Sequence, residues 1–199
     1  MATKPSRDYR NDPEWQARKA ESERLALIAE EKERELSADE VPLVRSLAQA
    51  GFLVKSVWDL VSSPGPYKNA IPVLLEHLKK PYMERTREGI ARALAVYDSA
   101  DIWPELVHLY RNEPLFVKTG KNNGAKDGLA LAVAQATTEE NISTLIELAR
   151  DRSNGSSRLL LLRRLRRSKN PIAKHALADL AADPDLEKEI ASWKRRHNS

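Results

Sequence analysis

Apolar residues recur along this chain at i, i+3 and i+7, and the pattern restarts several times. "DEVPLVRSLA" from Asp39, "NAIPVLLEHL" from Asn69 and "DIWPELVHLY" from Asp101 share one register. Each opens with Asp or Asn, a side chain able to cap the free N–H groups of a first helical turn. Three positions later stands Pro42, Pro72 or Pro104. Proline is tolerated there because first-turn N–H groups have no intrahelical acceptor. Val41, Ile71 and Trp103 then form one column, Val44, Leu74 and Leu106 a second, and Ala48, Leu78 and Tyr110 a third. That stripe is one face of an amphipathic helix. Ile142, Leu145, Ile146 and Ala149 supply a fourth copy, and Ala173, Ala176, Leu177 and Leu180 a fifth. The starting points 41, 71, 103, 142 and 173 are 30, 32, 39 and 31 residues apart. Such a period signals stacked helix–turn–helix repeats.

A second helix repeats between these. "TREGIARAL" (86–94), "AKDGLALAV" (125–133) and "SRLLLLRRL" (157–165) superpose without a gap. Arg87, Lys126 and Arg158 share a column, as do Ile90, Leu129 and Leu161, and Leu94, Val133 and Leu165. Gly89 and Gly128 share another, leaving room either for a partner's backbone or for a neighbouring helix. The step from the first helix to the second is 16 residues in the second and fourth units but 23 in the third. Seven extra residues therefore fall around "NEPLFVKTGKNNG", the stretch from Asn112 to Gly124.

In "SRLLLLRRLRRSK", 100° per residue places Leu161, Leu162 and Leu165 on one side, Leu159 at its margin, and Arg163, Arg164 and Arg167 opposite. The leucines read as core and the arginines as an outer face. Leu160 points among the arginines and is the one leucine that burial does not explain.

The segment 12–37 predicts a charged helix, with Asp12 as cap, Pro13 in first position and Leu25, Leu27, Ile28 and Leu36 as apolar anchors. Residues 1–11 are expected to be disordered. "DPDLEKEIASWKRRHNS" predicts a final capping helix with Ile190 and Trp193 turned inward.

The units "AIPVLLEHL…TREGIARAL", "KDGLALAV" and "SRLLLLRRL" resemble the HEAT-repeat superfamily, in particular its short bacterial repeats of about 30 residues. The resemblance covers residues 39 to 182. It implies an all-α, right-handed α-solenoid of about five helix pairs over residues 38–199, with second helices lining a concave face that binds proteins. A basic residue early in the second helix commonly ties neighbouring repeats in that family, and Arg87, Lys126 and Arg158 match it. The first unit, with its short "VKSVWDLVSSPGP", and the inserted stretch depart from the pattern.

Charge sharpens the functional expectation. The formal net charge of +4 hides a gradient: residues 1–40 carry 8 basic and 11 acidic side chains, residues 41–150 carry 13 and 12, and residues 151–199 carry 12 and 6. A basic last third attracts an acidic partner, whether protein or nucleic acid. The chain has no cysteine, which removes disulfides and thiolate chemistry and fits a reducing, cytoplasmic compartment. No apolar run approaches the roughly 18 residues that span a bilayer. His77, His108, His175 and His197 form no metal-ligand spacing, and "GKNNG" lacks the phosphate-loop pattern.

The expectation is a non-catalytic protein-binding scaffold or adaptor, in one form an immunity-type inhibitor of a toxin or enzyme, with no cofactor and no metal. Its candidate surface comprises Arg92, Arg163, Arg164, Arg167, Gly89 and Gly128 on the second helices, and Leu115, Phe116, Lys118 and Lys121 in the inserted stretch. Two other readings compete. One is nucleic-acid binding through the basic third, weakened by the lack of aromatics among the cations. The other is an alkylated-base DNA glycosylase, a class that also resembles this chain in being built of HEAT-like repeats; it would press Trp58, Asp59 and Trp103 into service, although packing explains both tryptophans.

Overall fold

A computed structural model describes residues 12–63, 66–116 and 124–195. Among them are ten α-helices and no strand. The chain divides into two units, residues 1–39 and 40–199.

Helix α1 runs Pro13–Gln49. Asp12 Oδ1 accepts from the Glu14 N–H at 2.9 Å, so this helix starts as its cap and proline predict. Three of the four apolar anchors expected in residues 12–37 are not anchors: Leu25, Leu27 and Ile28 are 54%, 68% and 53% exposed, while Leu36 is half-buried. The helix surface there is laced instead by i,i+3 and i,i+4 ion pairs, such as Arg24 with Glu21 at 3.1 Å and Arg34 with Glu30 at 3.6 Å.

The expected new helix at Asp39–Pro42 does not form, because α1 passes through Pro42 without ending. The buried stripe is Glu40, Leu43 and Leu47, while Val41 is half-exposed and Ala48 exposed. Glu40 fixes this register: its Oε2 accepts the Val57 N–H at 2.9 Å and so supplies the start of α2 (Val57–Ser62) from another helix.

Beyond that point the pairing is regular. α3 (Ile71–Leu78) packs on α4 (Glu84–Ala93), α5 (Trp103–Asn112) on α6 (Ala125–Ala136), and α7 (Ile142–Arg150) on α8 (Arg158–Arg167). The second helices also pack in sequence, α2 on α4, α4 on α6 and α6 on α8, with α4 and α6 sharing the broadest interface. α9 (Pro171–Leu180) packs on both α7 and α8, and α10 (Glu187–Arg195) follows. Pro72 and Pro104 fall in the first turns of α3 and α5 as the pattern requires. Asn69 and Asp101 do not cap these helices; they lie in 3₁₀ turns that lead into them.

The core follows the predicted columns. Leu74, Leu106, Tyr110, Ile90, Leu94, Leu129, Val133 and Leu161 are fully buried, and Leu78 and Leu165 nearly so. Trp103 is buried and donates from Nε1 to Thr137 Oγ1 at 3.0 Å, so its polar edge is satisfied inside the core. No described helix is long and apolar enough to cross a membrane.

Candidate functional site

The basic column early in the second helices is structural. Arg87 donates from both terminal nitrogens to Glu113, each at 2.6 Å, joining α4 to the end of α5. Lys126 is buried, and its ammonium donates to the Tyr110 and Glu113 carbonyls at 2.6 and 3.0 Å, filling the open acceptors at the end of α5. Burial lowers its pKa. Arg158 is fully buried and reaches the Ala149 carbonyl at 3.3 Å, Asp183 at 2.9 Å and Asp185 at 2.9 Å. Its hydrogen bond to Asp183 holds that carboxyl down at about 2. Arg87 and Arg158 thus bridge successive helix pairs, whereas Lys126 closes its own.

The two glycines serve packing, not a partner. A Cβ on Gly128 would stand 2.7 Å from Ala91 Cβ, 2.9 Å from the Glu88 carbonyl oxygen and 3.1 Å from the Arg92 nitrogen. One on Gly89 would stand 2.5 Å from Val57 Cγ1 and 3.0 Å from the Trp58 ring. Both are buried between helices, so they leave the candidate surface.

The four candidate arginines divide. Arg163 and Arg167 are exposed as expected. Arg92 is half-buried and donates to Glu88 at 2.8 Å, so its charge is already met. Arg164 is the larger correction. Its side chain is only 18% exposed, donating from Nε to the Thr137 carbonyl at 2.9 Å and from a terminal nitrogen to Glu139 at 3.0 Å. Thr137 follows α6, so Arg164 ties α8 to the preceding pair. A turn further, Ser168 Oγ donates to Glu139 at 2.5 Å and completes that link.

The inserted stretch is clamped at both ends. Glu113, held by Arg87, fixes one end. At the other, Glu84 Oε1 accepts the Ala125 N–H at 2.6 Å and caps α6 from α4. Gly124 has φ +58°, and a Cβ there would collide with the Glu84 carboxyl, so the position needs glycine twice over. Leu115 and Phe116 are both 39% exposed. Leu115 covers the turn before α8, since a Cβ on Gly155 would lie 3.1 Å from its Cδ2. Lys118 and Lys121 lie outside the described residues.

Sequence reasoning missed a cleft. Leu131 of α6, Leu159, Leu160, Arg163 and Arg166 of α8, and Glu189 and Trp193 of α10 enclose about 370 Å³. Arg166 lies over the Trp193 ring, 4.9 Å from its centroid, and Trp193 Nε1 donates to Glu189 at 2.9 Å. Trp193 is half-buried, while Ile190 alone turns fully inward. The signal was present: Leu160 was the leucine without a core role, and this cleft is where it goes. Among the described residues, Arg163 and Arg167 pair with no carboxylate.

Trp58, Asp59 and Trp103 all have local roles. Asp59 completes a capping box on α2, its Oδ2 accepting the Lys55 and Ser56 N–H groups at 2.8 and 3.2 Å. Trp58 packs beside Gly89 with Arg85 stacked 3.6 Å from its ring centroid. No family model, curated protein or solved structure matches this chain.

Proposed function

We propose that this chain is a non-catalytic protein-binding scaffold: a right-handed α-solenoid of HEAT-like helix pairs, acting in the cytoplasm, that offers the outer face of its later second helices to an acidic protein partner. The observation that carries the reading is the contrast within α8. Arg158 and Arg164 are used up inside the fold, while Arg163 and Arg167 are exposed and, among the described residues, meet no carboxylate. Unneutralised guanidinium next to accessible apolar surface is the composition of a protein-binding patch. The successive packing of α2, α4, α6 and α8 supports the solenoid reading, since stacked repeats require each second helix to touch the next. An immunity-type inhibitor that clasps a toxin or enzyme is one form such a scaffold takes.

The test is affinity capture from the native cell at moderate salt, with and without nuclease, comparing the wild-type chain with Arg163→Glu/Arg167→Glu. A protein recovered in both treatments and lost in the double variant is the expected result. Recovery that vanishes with nuclease, or that falls steeply with salt, would assign the basic face to nucleic acid instead.

A further inference from the structure

Among the described residues, two recesses adjoin the second helices. The larger, about 490 Å³, lies among Leu60, Tyr67, Arg92, Val96, Tyr97 and Gln135, but Arg92, the one cation among its described lining residues, is already paired with Glu88. The smaller, between α6, α8 and α10, keeps Arg163 at its rim without a carboxylate partner among the described residues and has a floor of half-buried leucines.

We propose that this smaller cleft receives a short acidic amphipathic helix of another protein, one leucine-like side chain seated among Leu131, Leu159 and Leu160 and a carboxylate one turn away on Arg163. The inference rests on the protein-binding reading and gives it an occupant. Three features select that chemistry. The floor is aliphatic, so it rewards an inserted apolar side chain and offers nothing to a free carboxylate. Arg163 and Arg166 are one helical turn apart, the spacing at which carboxylates recur on the face of a docked helix. Glu189 closes the opposite side, already accepting from Trp193, and repels a second acidic group there. The occupant is therefore polarised: acidic toward α8 and apolar or basic toward α10. A nucleic-acid strand, with its evenly spaced phosphates, would meet Glu189 and leave the leucines unused.

The probe is a fluorescein-labelled, N-acetylated helical peptide with leucines at i and i+4 and glutamates one turn on, titrated into the full-length chain. Controls are the same peptide with serine for leucine and a single-stranded oligonucleotide of equal charge. Saturable binding of the leucine peptide, with a change in tryptophan emission that Trp193→Phe abolishes, is expected. Leu160→Asp and Arg163→Glu should each weaken it by at least about tenfold, as removal of an interface anchor does. Arg163 is exposed, so its variant should keep the melting temperature, whereas Leu160 packs partly buried against the core and its variant should lose a little; if Leu160→Asp unfolds, Leu160→Gln carries the same expectation. Equal binding of the serine peptide or the oligonucleotide, or an unweakened Leu160 variant, overturns the proposal. A native partner lost with Arg163→Glu/Arg167→Glu but held normally by Leu160→Asp would leave the scaffold reading standing and remove this cleft from it.

Discussion

Replacing Gly128 by alanine sets two known effects against each other. Alanine in a helix interior is worth about 0.5–1 kcal/mol over glycine, so a glycine facing solvent should be stabilised by the change. Here the added methyl would stand 2.7 Å from Ala91 Cβ, 2.9 Å from the Glu88 carbonyl oxygen and 3.1 Å from the Arg92 nitrogen. Two of those three atoms are α4 backbone, which no rotamer change can move. Relief requires α4 to slide away from α6 along the broadest helix interface of the fold. Overpacking of this kind costs about 1–3 kcal/mol, and rigid backbone partners place it at the upper end. The net expectation is a loss of about 2 kcal/mol, or a fall in Tm of roughly 4–8 °C for a chain of this size. Gly89→Ala should cost about as much, because its methyl would stand 2.5 Å from Cγ1 of the buried, β-branched Val57 and 3.0 Å from the Trp58 ring, neither of them the end of a flexible side chain. Thermal and urea unfolding followed by circular dichroism measure both. A Tm that rises for Gly128→Ala would refute the packing argument.

Three further outcomes follow from the same contacts. Arg164→Glu should lower the unfolding midpoint markedly and Arg163→Glu hardly at all, since only Arg164 holds Thr137 and Glu139; equal effects in urea titrations would contradict the assignment of Arg164 as a strut. Asp183, held at about 2 by Arg158, binds its proton less readily folded than unfolded, so its contribution is present above about pH 4 and fades as pH falls toward 2; Arg158→Met should abolish that part of the acid transition as well as lower stability at neutral pH. His77 is buried among Tyr82 at 2.6 Å, Ser46 at 3.1 Å and Lys80 at 3.3 Å, and burial first and Lys80 second lower its pKa. The unfolded chain then takes the proton first, so stability should drop as pH falls through about 6.5, and His77→Gln should remove that slope in unfolding measured between pH 5 and 8.

The apolar columns made the helix pairs legible because burial acts on every unit alike. Where Pro72 and Pro104 occur, the helices start within a residue or two of the pattern. Pro42 misled because the same dipeptide register sat inside a helix already under way. Beside it Glu40 accepts from Val57, a contact seventeen positions distant that no local pattern encodes. The surface was less legible for a related reason. A period of 3.6 says which side of α8 faces out, but not what the outward side meets. Thr137 and Glu139 arrive from the end of α6 and absorb Arg164, while Trp193 arrives from α10 and gives Leu160 a use. All three partners lie at least 25 positions away in sequence.

The five arginines of α8 show how one residue type does several jobs within three turns. Arg158 points inward, where its planar donors can satisfy two carboxylates and two carbonyls together. A lysine there would be a point charge with fewer fixed donors, and the site is geometric. Arg164, six positions on, lies along the flank that faces α6 and reaches past the helix end to a free carbonyl. Arg163 and Arg167 are four apart and share the flank that no described carboxylate approaches. Arg166 leans on Trp193, its charge spread over the ring face. A rotation of 100° per residue thus sorts identical side chains into a core strut, an inter-pair strut, a lid on an aromatic ring and an open charge pair. If repeat stability alone required arginine on α8, positions 158 and 164 would suffice. The surplus at 163 and 167 adds to the self-repulsion of an already basic segment and meets no carboxylate among the described residues; Arg167, in the last turn, gains the helix-end dipole, and carboxylates on a partner would offset the rest.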